Sequence, residues 1–482
     1  ILDSTRRRAR LLITVLVIPK WPRWKKPELT SQTQKDTKNL CKALTQGGFR
    51  VLLPVPRGLP GELDFLNDNI IPVEMDIDLP DWRDEVMLTK EWYNLFNQFK
   101  GTYQYDVVIS NKIQPLAMIK KLLEFTPDRR DSFNTIPIPV IANPMLFAMV
   151  RDRAKDVFMF PHDAECVEWS LVYADSVVVI SPNEIDMIRS SLMKMFNAST
   201  VREIMKKVTW NSGFDESYFK SCLDSAGKEE SWAGNTVVLS ASRLAPVKQL
   251  PLVTEVFEKL ITLTGARCVI NTPDTEGAEL DAINEIRRST ELYTGASYSD
   301  YLRRLNSADV FVVASKLESL CWTMFEAFAA GCIVAGIRQP WMRGLIPEDY
   351  PFMYRDKDEL LLGLQAILES TSDSRNKYAP FREQVLSSIS WDAYVSRWSQ
   401  IIRYEVARSQ GTFISKHDGK DSMLGLSIST LRGDETLQEA ENQVKLHSSS
   451  NSSPHRFALY AVQQYRRGEY AIPNDNSSDS AI

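Results

Sequence analysis

Two cations five positions apart, Arg243 and Lys248, sit where an apolar run (236–240) gives way to an amphipathic stretch (250–263). An arginine grips phosphate with a planar two-pronged fork, and a lysine adds a mobile point charge. Fixed positive charge aimed at oxygens on which negative charge grows lowers a barrier without moving during the reaction. Farther along, Glu318 and Glu326 flank the start of a helical stretch, 323–330. Eight residues along one continuous helix leave two side chains about 80° out of alignment. The pair makes sense if Glu318 lies in the loop before the helix and Glu326 within it. A helix starting near Ser319 would point its free N–H groups at the same place. Taken singly, a cation after a strand is usually solvated, and acids at a helix start usually complement its dipole. Both features in order, each behind an apolar strand, are much harder to obtain by chance.

The elements that must position these residues read as two alternating halves. Residues 11–18 form a continuous apolar run, as expected of a strand buried on both faces. A helical stretch (34–44), Gly47-Gly48 and a strand (49–55) follow, which is a strand–helix–strand unit and implies a parallel sheet. Runs 106–110, 140–142 and 176–181 read as further strands, with a helix from about Asn183. The polar stretch 225–234 reads as a boundary. A second series then runs strand 236–240, helix 250–263, strand 266–271, helix 298–305, strand 310–314, helix 323–330 and strand 333–336. In the helix 250–263, Leu250, Val253, Phe257, Leu260 and Ile261 make one apolar stripe. Two halves of this kind suggest two doubly wound domains facing one another. Helices at 356–369 and 391–407 close the ordered part. Beyond about residue 408 the composition turns polar and 448–454 is low-complexity, which reads as a largely disordered tail with one isolated helix at 457–470.

With these residues in place, the chain resembles a known family, the retaining GT-B glycosyltransferases of group 1, which include the sucrose and glycogen synthases. The matching residues are Ser242-Arg243-Leu244 with Lys248, then Ala308-Asp309, Ser315, Glu318, Glu326-Ala327 and Ala330-Gly331, an E-x(7)-E arrangement. Looser matches are 211–219, Ala174-Asp175 with Ser181, and Trp391-Asp392. The resemblance implies an α/β GT-B fold, with two Rossmann-like domains facing a cleft and a C-terminal crossover helix. It places the acceptor-side domain at 1–212, the nucleotide-sugar domain at 213–388, the crossover helix at 389–407 and the tail at 408–482. It implies that Arg243 and Lys248 stabilise the departing diphosphate and that Glu318 bonds the donor sugar. Ser319, Leu320 and Cys321 would line the donor, and Glu326 would bond the ribose. No metal or other cofactor is implied. The activity so implied is hexosyl transfer, with UDP-glucose the guessed donor, to a hydroxyl with retained configuration. The alternatives are a glycosyltransferase acting on a modified base in DNA or another polyanionic acceptor, and a catalytically inactive GT-B binding module. Departures lie mainly in the first half: 27–31 reads PELTS where a Gly-Gly pair is usual, and Asn143 stands where many members have a histidine.

Composition bounds the remaining possibilities. A net charge of -5 excludes a generally basic nucleic-acid binder but leaves a local patch open. Six cysteines form no C-x-x-C pair and lie mostly in apolar runs, as in a reduced intracellular protein. Only four histidines are present, three of them in the tail, so a histidine metal site is disfavoured. Asp76-Ile77-Asp78 is a weak D-x-D, and no G-x-G-x-x-G follows a strand. No apolar run reaches the roughly 18 residues that span a bilayer. The run 11–18 follows basic residues but lacks a small-residue cleavage site, so a buried strand is expected over a signal peptide, and the location expected is the cytoplasm. Residues 1–26 carry eight Lys/Arg and one acid. Arg23, Trp24, Lys25 and Lys26 follow the first strand and, with Asn143, are the candidate acceptor-side residues. Cations interleaved with tryptophan suit an anionic hydroxyl acceptor: DNA or RNA with a modified base, a phosphorylated polymer, or an anionic lipid surface.

Overall fold

The computed structural model describes residues 12–19, 32–56, 63, 65–75, 105–111, 139–143, 174–193 and 196–409. Among them the chain forms two parallel sheets. The first contains β1 (Thr14–Pro19), β2 (Arg50–Pro56), β3 (Ile70–Met75), β4 (Val107–Asn111), β5 (Val140–Asn143), β6 (Ser176–Val179) and β7 (Val208–Trp210). Their order is β3-β2-β1-β4-β5-β6-β7. The second contains β8 (Val237–Ala241), β9 (Arg267–Asn271), β10 (Glu291–Tyr293), β11 (Val310–Val313), β12 (Ile333–Ile337) and β13 (Met353–Tyr354), ordered β10-β9-β8-β11-β12-β13. That is the doubly wound order, in which connections reverse direction between the first and fourth strands.

The apolar run near the N-terminus lies at the centre of the first sheet, in β1 between β2 and β4. Val15, Leu16, Val17 and Ile18 are fully buried. Each such side chain contributes roughly 1.5–3 kcal/mol, which accounts for the run as a strand. In this first half, α1 (Gln32–Gln46), α2 (Pro182–Leu192) and α3 (Ala198–Lys206) accompany the sheet. Asn197 caps α3 by accepting from Thr200 N at 2.9 Å.

In the second half, α4 (Glu216–Ala226), α5 (Leu250–Thr264), α6 (Ala278–Ile286), α7 (Tyr298–Leu305), α8 (Trp322–Ala330), α9 (Lys357–Glu369) and α10 (Thr371–Ser388) surround the sheet. Phe214, Phe219, Leu223 and Trp232 belong to the core of this second unit. The polar stretch 225–234 therefore belongs to the second unit and is not a boundary: Phe214, Phe219 and Leu223 before it, and Trp232 within it, are already inside that core.

The chain then returns to the first unit through α11 (Trp391–Ser409). Tyr394, Trp398, Ile402 and Val406, spaced every four residues, form a stripe in one core cluster with Val15, Val17, Leu40, Leu44 and Phe49. The two crossings between units run side by side: Phe214 N–H donates to Ile389 O at 2.7 Å, and Asn211 Nδ2 donates to Tyr394 O at 3.1 Å. A side chain at Gly213 would put its Cβ 2.4 Å from Tyr394 Cβ, so only glycine allows this approach. The units also touch where the start of α2 meets the turn Pro340–Met342 and Gly344.

Candidate functional site

In an open parallel sheet, ligands settle outside the carboxyl ends of strands where the winding reverses. For the second sheet that place is the junction of β8 and β11, which pair directly. The segment leaving β8 carries Arg243 and Lys248, and the segment leaving β11 carries Glu318. The topology thus brings together residues far apart in sequence. Lys316 N–H donates to Val247 O at 2.8 Å, tying the two segments. Beside this tie, Lys248 Nζ donates to Glu318 Oε1.

The side chains of Lys248 and Glu318 are 15% and 7% exposed. Burying two charges costs several kcal/mol per ion, and mutual attraction repays this only in part. A pair of this kind is poor design for stability alone. It leaves the ammonium with further N–H groups and the carboxylate with a second oxygen. Neither side chain makes another hydrogen bond among the described residues. Next in the chain, the backbone N–H groups of Ser319, Leu320, Cys321 and Thr323 find no acceptor among the described residues. α8 starts at Trp322, three residues later than a helix from Ser319 would, because Cys321 is its N-cap. Free N–H groups at a helix start, next to a lysine, form a cradle for an anion.

The β8 segment is held in an uncommon conformation. After the short helical turn Pro246–Lys248, Gln249 adopts φ 56°, the only left-handed non-glycine among the described residues. That conformation costs roughly 1–2 kcal/mol and turns the chain sharply into α5, leaving Lys248 at the corner. Arg243 is exposed and has no side-chain partner among the described residues. It is therefore available to a ligand.

Glu326 lies one turn into α8 and accepts from Tyr298 Oη at 2.9 Å. Tyr298 opens α7, whose N-terminus is set by a capping box of Ser297 and Asp300. Burial and the Glu326 charge push the Tyr298 phenol well above its ordinary value, so it stays the donor. Sequence reasoning missed Tyr298; the Ser-x-x-Asp signature at 297–300 was the available signal. Cys321 is no nucleophile, since burial, then Glu318, push its thiol up to about 12.

In the first unit, Asn143 is the last residue of β5, 7% exposed, with Asn111 beside it in register. Arg23, Trp24, Lys25, Lys26, the 27–31 loop, the D-x-D at 76–78, His162 and the tail from 410 lie outside the described residues. Among those described, no three His, Cys, Asp or Glu side chains are grouped as a metal site, five cysteines are unpaired, and no helix is long and apolar enough to cross a membrane.

Residues 225–380 match the profile of the family Glycosyl transferases group 1. No curated protein sequence matches the chain. Solved structures similar to it include sucrose-phosphate synthase from Thermosynechococcus elongatus, with TM-score 0.59 and 15% identity over 82% of this chain and 100% of that one. The Anabaena protein HepE in complex with UDP and glucose matches with TM-score 0.56 and 12% identity, over 81% and 100%. The catalytic domain of starch synthase IV from Arabidopsis thaliana, bound to ADP and acarbose, matches with TM-score 0.54 and 14% identity, over 82% and 100%. Two doubly wound units joined by a returning C-terminal helix are the GT-B fold, and the chain is a glycosyltransferase of that fold. The likeness to group 1 lies in the second unit, over residues 225–380.

Proposed function

We propose that the chain moves a hexose, glucose in the first instance, from a nucleoside diphosphate sugar to a hydroxyl, with retained configuration. The observation that carries this is the Lys248–Glu318 pair, assembled at the β8/β11 junction beside Arg243 and the N–H groups of Ser319, Leu320, Cys321 and Thr323, which find no acceptor among the described residues. In this reading Arg243, Lys248 and those N–H groups meet the diphosphate, Glu318 bonds the sugar and Glu326 the ribose. The C1–O bond to phosphate breaks, the acceptor oxygen bonds to C1 on the same face, and the acceptor proton passes to the departing diphosphate. The cradle's positive groups take the part a metal would take, so turnover should persist in chelator. HepE with UDP and starch synthase IV with ADP support UDP- or ADP-sugars as the first donors to try. The setting proposed is the cytoplasm.

The test has two stages. A donor at 100 times its Kd adds about 2.7 kcal/mol of stability, so thermal shifts against UDP-, ADP- and GDP-sugars identify it. Lys248→Ala should then lower transfer about 100- to 1000-fold in a protein that still melts cooperatively. Full turnover by that variant would refute the assignment. Lys248→Arg separates the loss of charge from the exposure of an unpaired Glu318.

A further inference from the structure

Arg243 has no side-chain partner among the described residues, yet the backbone on both sides of it is tied down. Ser242 N–H donates to Asn271 O at 3.1 Å, and Leu244 N–H donates to Asp274 Oδ2 at 2.5 Å. Both acceptors lie at the end of β9 or just beyond it. That segment is itself anchored: Thr272 N–H donates to Tyr293 O at 2.9 Å, Ala296 N–H to Thr272 O at 3.1 Å, and Gly295 N–H to Asp274 O at 3.2 Å. Asn271 Oδ1 accepts from Arg304 Nη1 at 2.6 Å, and that guanidinium lies 3.8 Å from the Tyr293 ring centre. The β9 and β10 ends thus form a rigid block, and Asp274 is the side chain that reaches from it to the Arg243 loop.

We propose that Asp274 is a positioning residue for Arg243: its carboxylate, by fixing the Leu244 amide, holds the arginine in the orientation that meets the diphosphate. A carboxylate beside an anion subsite would by its charge weaken anion binding, so the residue type is explained by its acceptor oxygen. The bond from a backbone N–H to a carboxylate is among the stronger kinds, and with Ser242 it leaves Arg243 only its side-chain torsions. This rests on the nucleotide-sugar reading above.

The probe is UDP, with ADP in parallel, binding to the full chain; the variants are Arg243→Ala, Asp274→Ala, Asp274→Asn and the double alanine. Asp274→Ala should weaken UDP binding about tenfold, the coupling expected within one network, and release the Leu244 amide to fast hydrogen exchange. Asp274→Asn keeps an acceptor oxygen and should retain both binding and protection. The double variant should bind no more weakly than Arg243→Ala alone, since Asp274 acts only through Arg243. Unchanged binding in Asp274→Ala, additive losses in the double variant, or failure of Asp274→Asn to rescue would each overturn the proposal while leaving the donor reading standing. A wild-type chain that binds neither UDP nor ADP would overturn the donor reading, and this one with it.

Discussion

The two units carry the same string, A-D-x(5)-S-x-x-E, as Ala174–Glu184 in the first and Ala308–Glu318 in the second. Its beginning does the same work in both. Asp175 Oδ2 accepts from Val140 N at 2.7 Å, and Asp309 Oδ2 accepts from Val237 N at 3.1 Å. Each aspartate thereby pins the start of the neighbouring strand, and each is paired with an arginine from a later helix, Arg408 and Arg375. The ends differ. In the first unit α2 starts directly after Ser181, with proline in its first position, so Glu184 falls in the first helical turn. Its carboxylate folds back to accept from Ile180 N at 2.8 Å and is 1% exposed. In the second unit the helix is delayed to Trp322, and Glu318 stays in the loop, facing Lys248. A longer loop converts a capping glutamate into a glutamate offered to a ligand.

The largest effect should separate these two glutamates. Glu318→Gln should cost about 100- to 1000-fold in transfer, measured by initial rates on a verified donor, with little change in fold. Glu184→Ala should instead cost about 1–3 kcal/mol of stability, the penalty of a buried N–H left unsatisfied, measured by denaturant titration, and leave donor affinity untouched. If Glu184→Ala also abolished donor binding, the contrast between the two strings would fail.

A smaller effect lies at the string's start. Asp175 and Arg408 share a buried site with Glu405, which is 1% exposed and accepts from Ser176 Oγ. Burial raises the Glu405 carboxyl above its ordinary 4.5, against the pull of Arg408 and Ser176. The folded chain therefore holds this proton more tightly than the unfolded one. The resulting stability is full below about pH 4.5 and is lost as pH rises through the folded value. Glu405→Gln, which mimics the protonated form, should match the wild type in acid and melt higher than it at neutral pH. Equal melting at both would remove the distinction. The second unit has no such acid beside Asp309 among the described residues, and Arg375 and Asp309 are 48% and 28% exposed. Asp309→Asn keeps an acceptor for Val237 N and should shift stability by no more than about 1 kcal/mol.

What could be read in the sequence follows burial. The interior strands of both sheets are buried on both faces and appear as apolar runs. The strands that escaped the reading are the four edges, β3, β7, β10 and β13. Edge strands are half exposed; β7, β10 and β13 are also only three, three and two residues long, and β3 contains Pro72, which an edge tolerates because one side of the strand needs no ladder. α10 escaped because Pro380 lies inside it, where a proline ordinarily argues against a helix.

The site divides in the same manner. Residue type and order alone singled out Arg243, Lys248, Glu318 and Glu326, because cations after one strand and acids after another are local patterns. Local pattern also determined that the chain is doubly wound, since alternating strands and helices leave few other ways to bury both faces of a parallel sheet. Only the tertiary structure decided that Lys248 faces Glu318, that Tyr298 holds Glu326, and that Asp274 reaches the Arg243 loop. Each of those contacts depends on which strands become neighbours and where a helix begins after its strand. Strand order is set by summed packing of the whole sheet, and the residue at which a helix starts after its strand depends on its cap, which periodicity does not register.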